Sequence, residues 1–229
     1  GTDRLMHFLW EAFDDESHPF HQEFLDYFNK VDGFVGRVYD KFMALEGSKE
    51  EKNNFYMLSD HGFTKIKTEV YLNRWLHENG YLKFKNDNPE TIMDIGPGST
   101  AFALDPSRIH INLKDKYPLG TVDSSDYKRV RQELKQNLET LTFKDGNKIA
   151  KKIFLKEELY KGPYIDLAPD LVILSNVGYD LKGKVNSDAV FDRTNLVGMH
   201  TQHDAFFFSS GSIPCKSIFD AKDTILGFL

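Results

Sequence analysis

Apolar positions along the chain keep two rhythms, and the switches between them mark out the elements. Leu5, Phe8, Leu9 and Phe13 recur at helical spacing, so residues 3–13 are predicted as a short helix with Thr2 or Asp3 as its N-cap. A longer helix starts at Phe20. Phe20, Phe24, Phe28, Val31, Val35, Val38 and Phe42 form its apolar stripe, which is expected to pack into a core. Gly47-Ser48 ends that helix, and 49–53 is a charged loop. Residues 54–58 are short, apolar and aromatic-rich, which suits a buried strand, and the run stops abruptly at Ser59-Asp60-His61-Gly62. Val70, Leu72, Trp75 and Leu76 predict a helix over 69–79 stopped by Gly80, and 81–84 reads as a short strand.

The second half has a shorter rhythm. Residues 85–99 form a polar loop with Pro89, Gly96, Pro97 and Gly98, followed by a strand pair over 100–104 and 108–113 joined at Asp105-Pro106-Ser107. After a loop over 114–121, Ser124 or Ser125 is expected to cap a helix to about Leu141, with Leu134, Leu138 and Leu141 inward. Strands are expected over 149–154 and 169–174, with a helical turn over 156–160 between them and a mixed loop over 177–193 after them. Residues 198–204 read as a loop leading into an aromatic strand over 205–208. There is no internal repeat. Helices and short strands alternate, so the class is α/β, with a largely parallel sheet and helices on both faces as the expected architecture.

Composition narrows the function classes. The 229-residue chain is 40% hydrophobic and 28% charged, the balance of a globular protein. Its net charge of −6 gives no electrostatic case for nucleic acid or an acidic membrane surface as partner. No apolar run approaches a membrane span. The single Cys215 rules out a disulfide framework within the chain and fits a reducing compartment, which favours the cytoplasm. The basic residues Lys128, Arg129, Arg131 and Lys135 are interleaved with Asp126, Glu133 and Glu139, so they read as a solvated helix face rather than a phosphate patch. The chain opens at Gly1-Thr2-Asp3 without an initiator methionine, and it is expected to be a piece of a longer protein.

The candidate chemistry lies in Asp and His residues at element ends. In open α/β sheets ligands gather beyond the carboxyl ends of strands, which is where Asp60 and His61 are expected. Asp3 and His7 are four apart on one helix face and can converge on one ion. Asp14 and His18 repeat that spacing in a looser acidic stretch before Pro19. His200 and His203 crowd one late segment. Two metal ions need about three His or Asp ligands each, and such a pair suits phosphoryl transfer. Asp3, His7, Asp60, His61 and His200 supply five, with Asp14, His18 and His203 as alternatives.

Six segments then carry a resemblance. Thr2-Asp3-Arg4-Leu5-Met6-His7, Val31-Asp32-Gly33-Phe34-Val35-Gly36, Ser59-Asp60-His61-Gly62, Ile111-Asn112-Leu113, Ala168-Pro169-Asp170-Leu171 and Gly198-Met199-His200 resemble, in order, the alkaline phosphatase superfamily. The likeness is to its type I phosphodiesterase/nucleotide pyrophosphatase and phosphohydrolase/phosphomutase branch. Ser-Asp-His-Gly followed roughly 140 residues later by Gly-x-His is the most specific part. The resemblance implies an alkaline-phosphatase-like sandwich of which residues 1–229 are the C-terminal part, with an inserted region within 85–195. It implies two divalent ions (zinc, or else manganese or iron), with Asp60 and His61 on one and Asp3, His7 and His200 on the other. A further aspartate and a Thr or Ser nucleophile are implied upstream of Gly1. The implied substrate is a small phosphate ester or nucleotide. Phosphomutase or sulfatase-like chemistry, or a non-catalytic metal-binding domain, are the competing readings.

Overall fold

The structure, a computed structural model, describes residues 1–45, 54–211 and 215–226. In chain order its elements are α1 (Thr2–Asp14), α2 (His21–Met43), β1 (Tyr56–Leu58), β2 (Gly62–Lys65), β3 (Thr68–Tyr71), α3 (Leu72–Glu78), β4 (Ala101–Asp105), β5 (Arg108–Ile111), α4 (Tyr127–Thr140), β6 (Ala150–Leu155), α5 (Lys156–Leu159), β7 (Leu171–Ser175), β8 (Tyr179–Lys182), β9 (Phe191–Asp192), β10 (Gly198–Thr201), β11 (Phe207–Ser209) and α6 (Ile218–Leu226). They form two compact units. The first combines 1–65 with 195–229, and the second is the continuous segment 66–194. The helix stop expected at Gly47-Ser48 and the charged loop expected over 49–53 lie outside the described residues.

The first unit holds two antiparallel strand pairs, β1 with β11 and β2 with β10. The register sets His200 opposite Phe63 and Thr201 opposite Gly62. Gly62 is the first residue of β2. A Cβ at that position would collide with Asp204 and Thr201, so close approach is what requires glycine. Residues 198–201, expected as loop, are strand β10. The α2 stripe is not the core seam the periodicity suggests. Only Phe24 is buried, packed against Phe13, while Phe20 and Val38 are exposed. At the other end Tyr39 and Phe42 reach the Phe55 ring, and the turn between, at Phe34, stays open to solvent. A helical stripe reports which face is apolar, and burial depends on what packs against it.

The second unit contains the main core. An antiparallel sheet in the order β4-β5-β7-β6 buries Ala101, Ala103, Ile109, Ile111, Ile153 and Leu171. Leu134 and Leu138 of α4 join this cluster. Neither Ser124 nor Ser125 caps α4, which begins at Tyr127 behind Asp126 without a side-chain cap. A second sheet, β8-β3-β9, has one parallel pair (β3 with β8) and one antiparallel pair. Here the expected helix over 69–79 is corrected. Thr68–Tyr71 pairs on both edges, and the helix starts only at Leu72. Glu69 is buried there because Tyr71 Oη and Thr194 Oγ1 donate to its oxygens at 2.9 and 3.0 Å and Lys182 Nζ lies 3.3 Å away. Residues 81–84 make only an isolated bridge from Phe84 to Ile95, and the mixed loop over 177–193 contains β8 and β9. The described residues are thus mixed α/β with small, mostly antiparallel sheets, and the expected largely parallel central sheet is not among them.

Three basic residues of α4 are tied to acids. Arg131 forks onto Glu157 at 2.8 and 2.9 Å, Arg129 pairs with Asp126 and Glu133, and Lys135 pairs with Glu139. No helix among the described residues is long and apolar enough to cross a membrane.

Candidate metal centre

Three separate segments of the first unit bring the centre together. The first is α1. Asp3 and His7 stand one helical turn apart, with His7 Nε2 3.7 Å from Asp3 Oδ1. The second is the short link from β1 to β2, which carries Asp60 and His61, with His61 Nε2 3.5 Å from Asp60 Oδ1 and 3.9 Å from Asp3 Oδ1. The third is β10, whose His200 Nε2 lies 2.9 Å from Asp3 Oδ1 and 3.1 Å from His7 Nε2. Ligand atoms of Asp3, His61 and His200 all fall within 4.8 Å of one another. Ligands bonded at about 2 Å to a common ion lie up to about 4 Å apart, close to this spread.

The orientation of the rings gives a test of whether these residues suit a cation. His7 Nδ1 lies 2.7 Å from the Gly198 carbonyl, and His61 Nδ1 lies 3.0 Å from the Gly62 carbonyl. A carbonyl only accepts, so each Nδ1 carries the proton and each neutral ring turns the lone pair of Nε2 toward the cluster. Fixing the outer nitrogen in this way is what orients metal-binding histidines. The Nε2 lone pair of His7 then faces His200 Nε2 at 3.1 Å, a contact made favourable by a hydrogen on His200 Nε2 or by a cation bound to both. The donor set fits a divalent ion.

The packing around the rings is aromatic. Phe63 lies 4.9 Å from the His7 ring and 5.4 Å from the His200 ring, and the His61 and His200 rings stack at 3.6 Å. Gly198 allows β10 to lie against α1, because a Cβ there would run into the Met6 carbonyl and the Phe63 ring. Thr201 Oγ1 donates to Asp204 Oδ2 at 2.9 Å and so latches the end of β10. The Asp3 carboxyl is held below the usual carboxylate range, first by the hydrogen bond from His200 and further by the charge of His7, His200 and His61 when protonated. The centre is open: Asp3 is 56% exposed and Asp60 83%.

The remaining expected ligands lie elsewhere or make other bonds. Asp14 ends α1, and His18 Nδ1 accepts from the backbone N–H of Phe20 while its ring packs on Phe20. The close group is Asp3, His61 and His200; His7 and Asp60 stand beside it, 3.1 Å from His200 and 3.5 Å from His61, while Asp14, His18 and His203 do not join it. Two features of the centre went unread in the sequence. One is the Gly198 carbonyl that orients His7, and the other is the Phe63 ring packed against His7 and His200. An aromatic residue directly after Ser-Asp-His-Gly was the only available sign. Of the described hydroxyls next to ligands in sequence, Ser59 Oγ accepts from Phe206 N at 3.0 Å, Thr201 Oγ1 donates to Asp204, and Thr2 stands at the first position of α1 beside Asp3.

The family model described as "Type I phosphodiesterase / nucleotide pyrophosphatase" matches residues 2–204. That span includes every residue of the centre. No curated relative matches the chain.

Proposed function

Since the chain belongs to the type I phosphodiesterase/nucleotide pyrophosphatase family, whose members are phosphoric ester hydrolases and are generally dependent on divalent metals, we propose that Asp3, His7, Asp60, His61 and His200 are the metal ligands of such a hydrolase. The observation that carries this reading is the convergence of Nε2 of His7, His61 and His200 on Asp3 Oδ1 from three separate segments. Asp60 and His61 serve one ion, and Asp3, His7 and His200 a second. Zinc is the favoured metal, because imidazole and carboxylate donors suit it, as they do manganese and iron.

When bound, the ions supply Lewis-acid polarisation of phosphoryl oxygens and neutralise charge that builds up in the transition state. The residues of the chain supply placement. The Gly198 and Gly62 carbonyls keep His7 and His61 in the ligating tautomer, and Asp3 supplies an ionised oxygen at any pH near neutrality. The nucleophile is assigned outside this chain, to a Thr or Ser of the rest of the domain, as the family resemblance implies. In this reading residues 1–229 are the C-terminal part of an alkaline-phosphatase-like sandwich, whose mostly parallel sheet is completed by the rest of the domain. The substrate is a small phosphate ester or nucleotide.

The test is hydrolysis of an aryl phosphodiester and an aryl phosphomonoester by the protein at its natural length, with zinc or manganese. The expected result is turnover abolished by chelation and by His61→Ala and His200→Ala separately. Full turnover in either variant would overturn the ligand assignment.

A further inference from the structure

The second unit has a groove that the metal centre does not explain. It encloses about 220 Å³ and its exposed lining is almost entirely apolar. It is lined by Ile92, Met93 and Ile95 from the turn around 92–94, by Leu104 of β4 and by Leu119 of the loop between β5 and α4. Met93, Ile92, Leu104 and Leu119 are 73%, 48%, 44% and 42% exposed, yet all face the same concavity. Single exposed apolar side chains are ordinary, whereas several lining one concave wall mark a binding surface.

The walls offer a ligand almost no neutral hydrogen-bonding partner. Asn112 lines the groove, but its two amide hydrogens go to the carbonyls of Ser99 and Leu119 at 2.7 and 2.8 Å. Tyr117 lines it too, with its hydroxyl 3.2 Å from His110 Nδ1, and burial pushes that phenol up to about 12, so it stays neutral. The exception is Lys85. Its Nζ donates one bond to the Met93 carbonyl at 2.6 Å and, among the described residues, has no carboxylate partner. Asp94 senses its charge, but the Asp94 oxygens are occupied by the backbone N–H groups of Glu90 and Thr91 and by Asn86. The groove therefore pairs an apolar trough with one cation that keeps hydrogen-bonding capacity to spare.

We propose that this groove, formed by Ile92, Met93, Leu104 and Leu119 with Lys85 at its margin, binds a small single-chain anionic amphiphile, the apolar chain in the trough and the anionic head on Lys85. The charge pattern selects the occupant. A neutral apolar molecule leaves Lys85 unused, and a polar anion gains nothing from the walls. The volume corresponds to about seven water-sized groups at roughly 30 Å³ each, which suits a short alkyl chain rather than a folded partner. The head is a carboxylate or a phosphate monoester, since either accepts from an ammonium. The site lies wholly within 66–194 and does not depend on the metal reading.

Isothermal titration of the full chain with octanoate, octyl phosphate and octyl glucoside, each below its micelle concentration, tests this. The expected result is saturable binding of at least one anion at a 1:1 ratio, with the glucoside weaker. The stronger of octanoate and octyl phosphate identifies the head group. Lys85→Gln is expected to weaken the anion about fivefold, the upper range of a solvent-exposed ion pair, and to leave the glucoside unchanged. Leu119→Ser, which adds a hydroxyl to the trough at an exposed loop position, should weaken all three ligands. Equal binding of glucoside and anions, an unchanged anion affinity in Lys85→Gln, or no binding by any of the three would overturn the proposal.

Discussion

His7 and His200 meet Nε2 to Nε2 at 3.1 Å, and the outer nitrogen of His7 is held by the carbonyl of Gly198, two residues before His200. One backbone group thus sets the tautomer of one histidine and the position of the strand that carries the other. This coupling between α1 and β10 gives the candidate centre its geometry, and it makes Gly198 as important as the ligands.

Gly198→Ala is accordingly expected to cost about 1–3 kcal/mol, because the added methyl meets the Met6 carbonyl and the Phe63 ring. It should also lower zinc affinity, since it pushes β10 away from His7. Thermal unfolding and zinc titration of the same variant check both effects. Full affinity at lowered stability would detach Gly198 from the centre.

The competing histidines are separable by metal binding. His18→Ala and His203→Ala are expected to keep zinc affinity within about twofold. His7→Ala should lower it by at least tenfold, as losing a ligand is no milder than losing a supporting residue. Competition with a zinc-sensitive dye measures each. Comparable losses in His18→Ala and His7→Ala would contradict the proposed ligand set.

Asp170 belongs to a segment that resembles the family, yet the structure gives it a packing role. It is fully buried in the second unit, where Oδ2 accepts from Ile111 N at 2.7 Å and Oδ1 accepts from Tyr127 Oη at 2.6 Å and Lys156 Nζ at 3.2 Å. Its charge and burial push the Tyr127 phenol well up, so that phenol stays a donor. Asp170→Ala leaves Lys156 and a backbone N–H without their buried acceptor, and is expected to destabilise by about 3–5 kcal/mol. Zinc affinity of the folded fraction should be unchanged. Denaturant unfolding and zinc titration separate the two outcomes.

Acid should loosen the second unit through Asp145. Its carboxyl is lowered to about 2, chiefly by the ion pair with Lys67 and then by the N–H of Asn147. A depressed folded-state pKa stabilises above the unfolded value of about 3.9, and that contribution is lost as pH falls from there toward 2. Asp145→Asn should therefore show a smaller loss of stability between pH 5 and about pH 2.5 than the parent, as followed by urea midpoints. Identical slopes would remove Asp145 from the acid response.

Some of this was legible in the chain and some was not, for physical reasons. Asp3 and His7 could be paired from spacing because a helix turn fixes which residues share a face. Asp60-His61 could be placed at a strand end because the apolar run stops there. Their meeting with His200 depends on β2 pairing with β10, and strands of four residues leave too little alternation to be seen. Glu69 was mistaken for a helical residue since Val70, Leu72, Leu76 and Trp75 keep helical spacing. What holds it in a strand is pairing with β8 and β9 and bonds to Thr194 and Lys182, over a hundred residues away in sequence. The α2 stripe shows the same limit, since periodicity named the apolar face but not its cover.

The 229-residue chain on its own is expected to bind metal without turning over ester, because the proposed reading places the nucleophile in the rest of the domain. Assay with excess zinc or manganese on a phosphomonoester and a phosphodiester checks this. Turnover that disappears in His61→Ala would place the nucleophile inside the chain.

The most direct measurement is zinc K-edge absorption spectroscopy of the zinc-loaded chain beside its His200→Ala variant. The account predicts a first shell of nitrogen and oxygen with the outer-shell signature of imidazole, reduced in imidazole content or lost in the variant. A shell without imidazole, or one unchanged by His200→Ala, would contradict a metal centre built on Asp3, His7, His61 and His200.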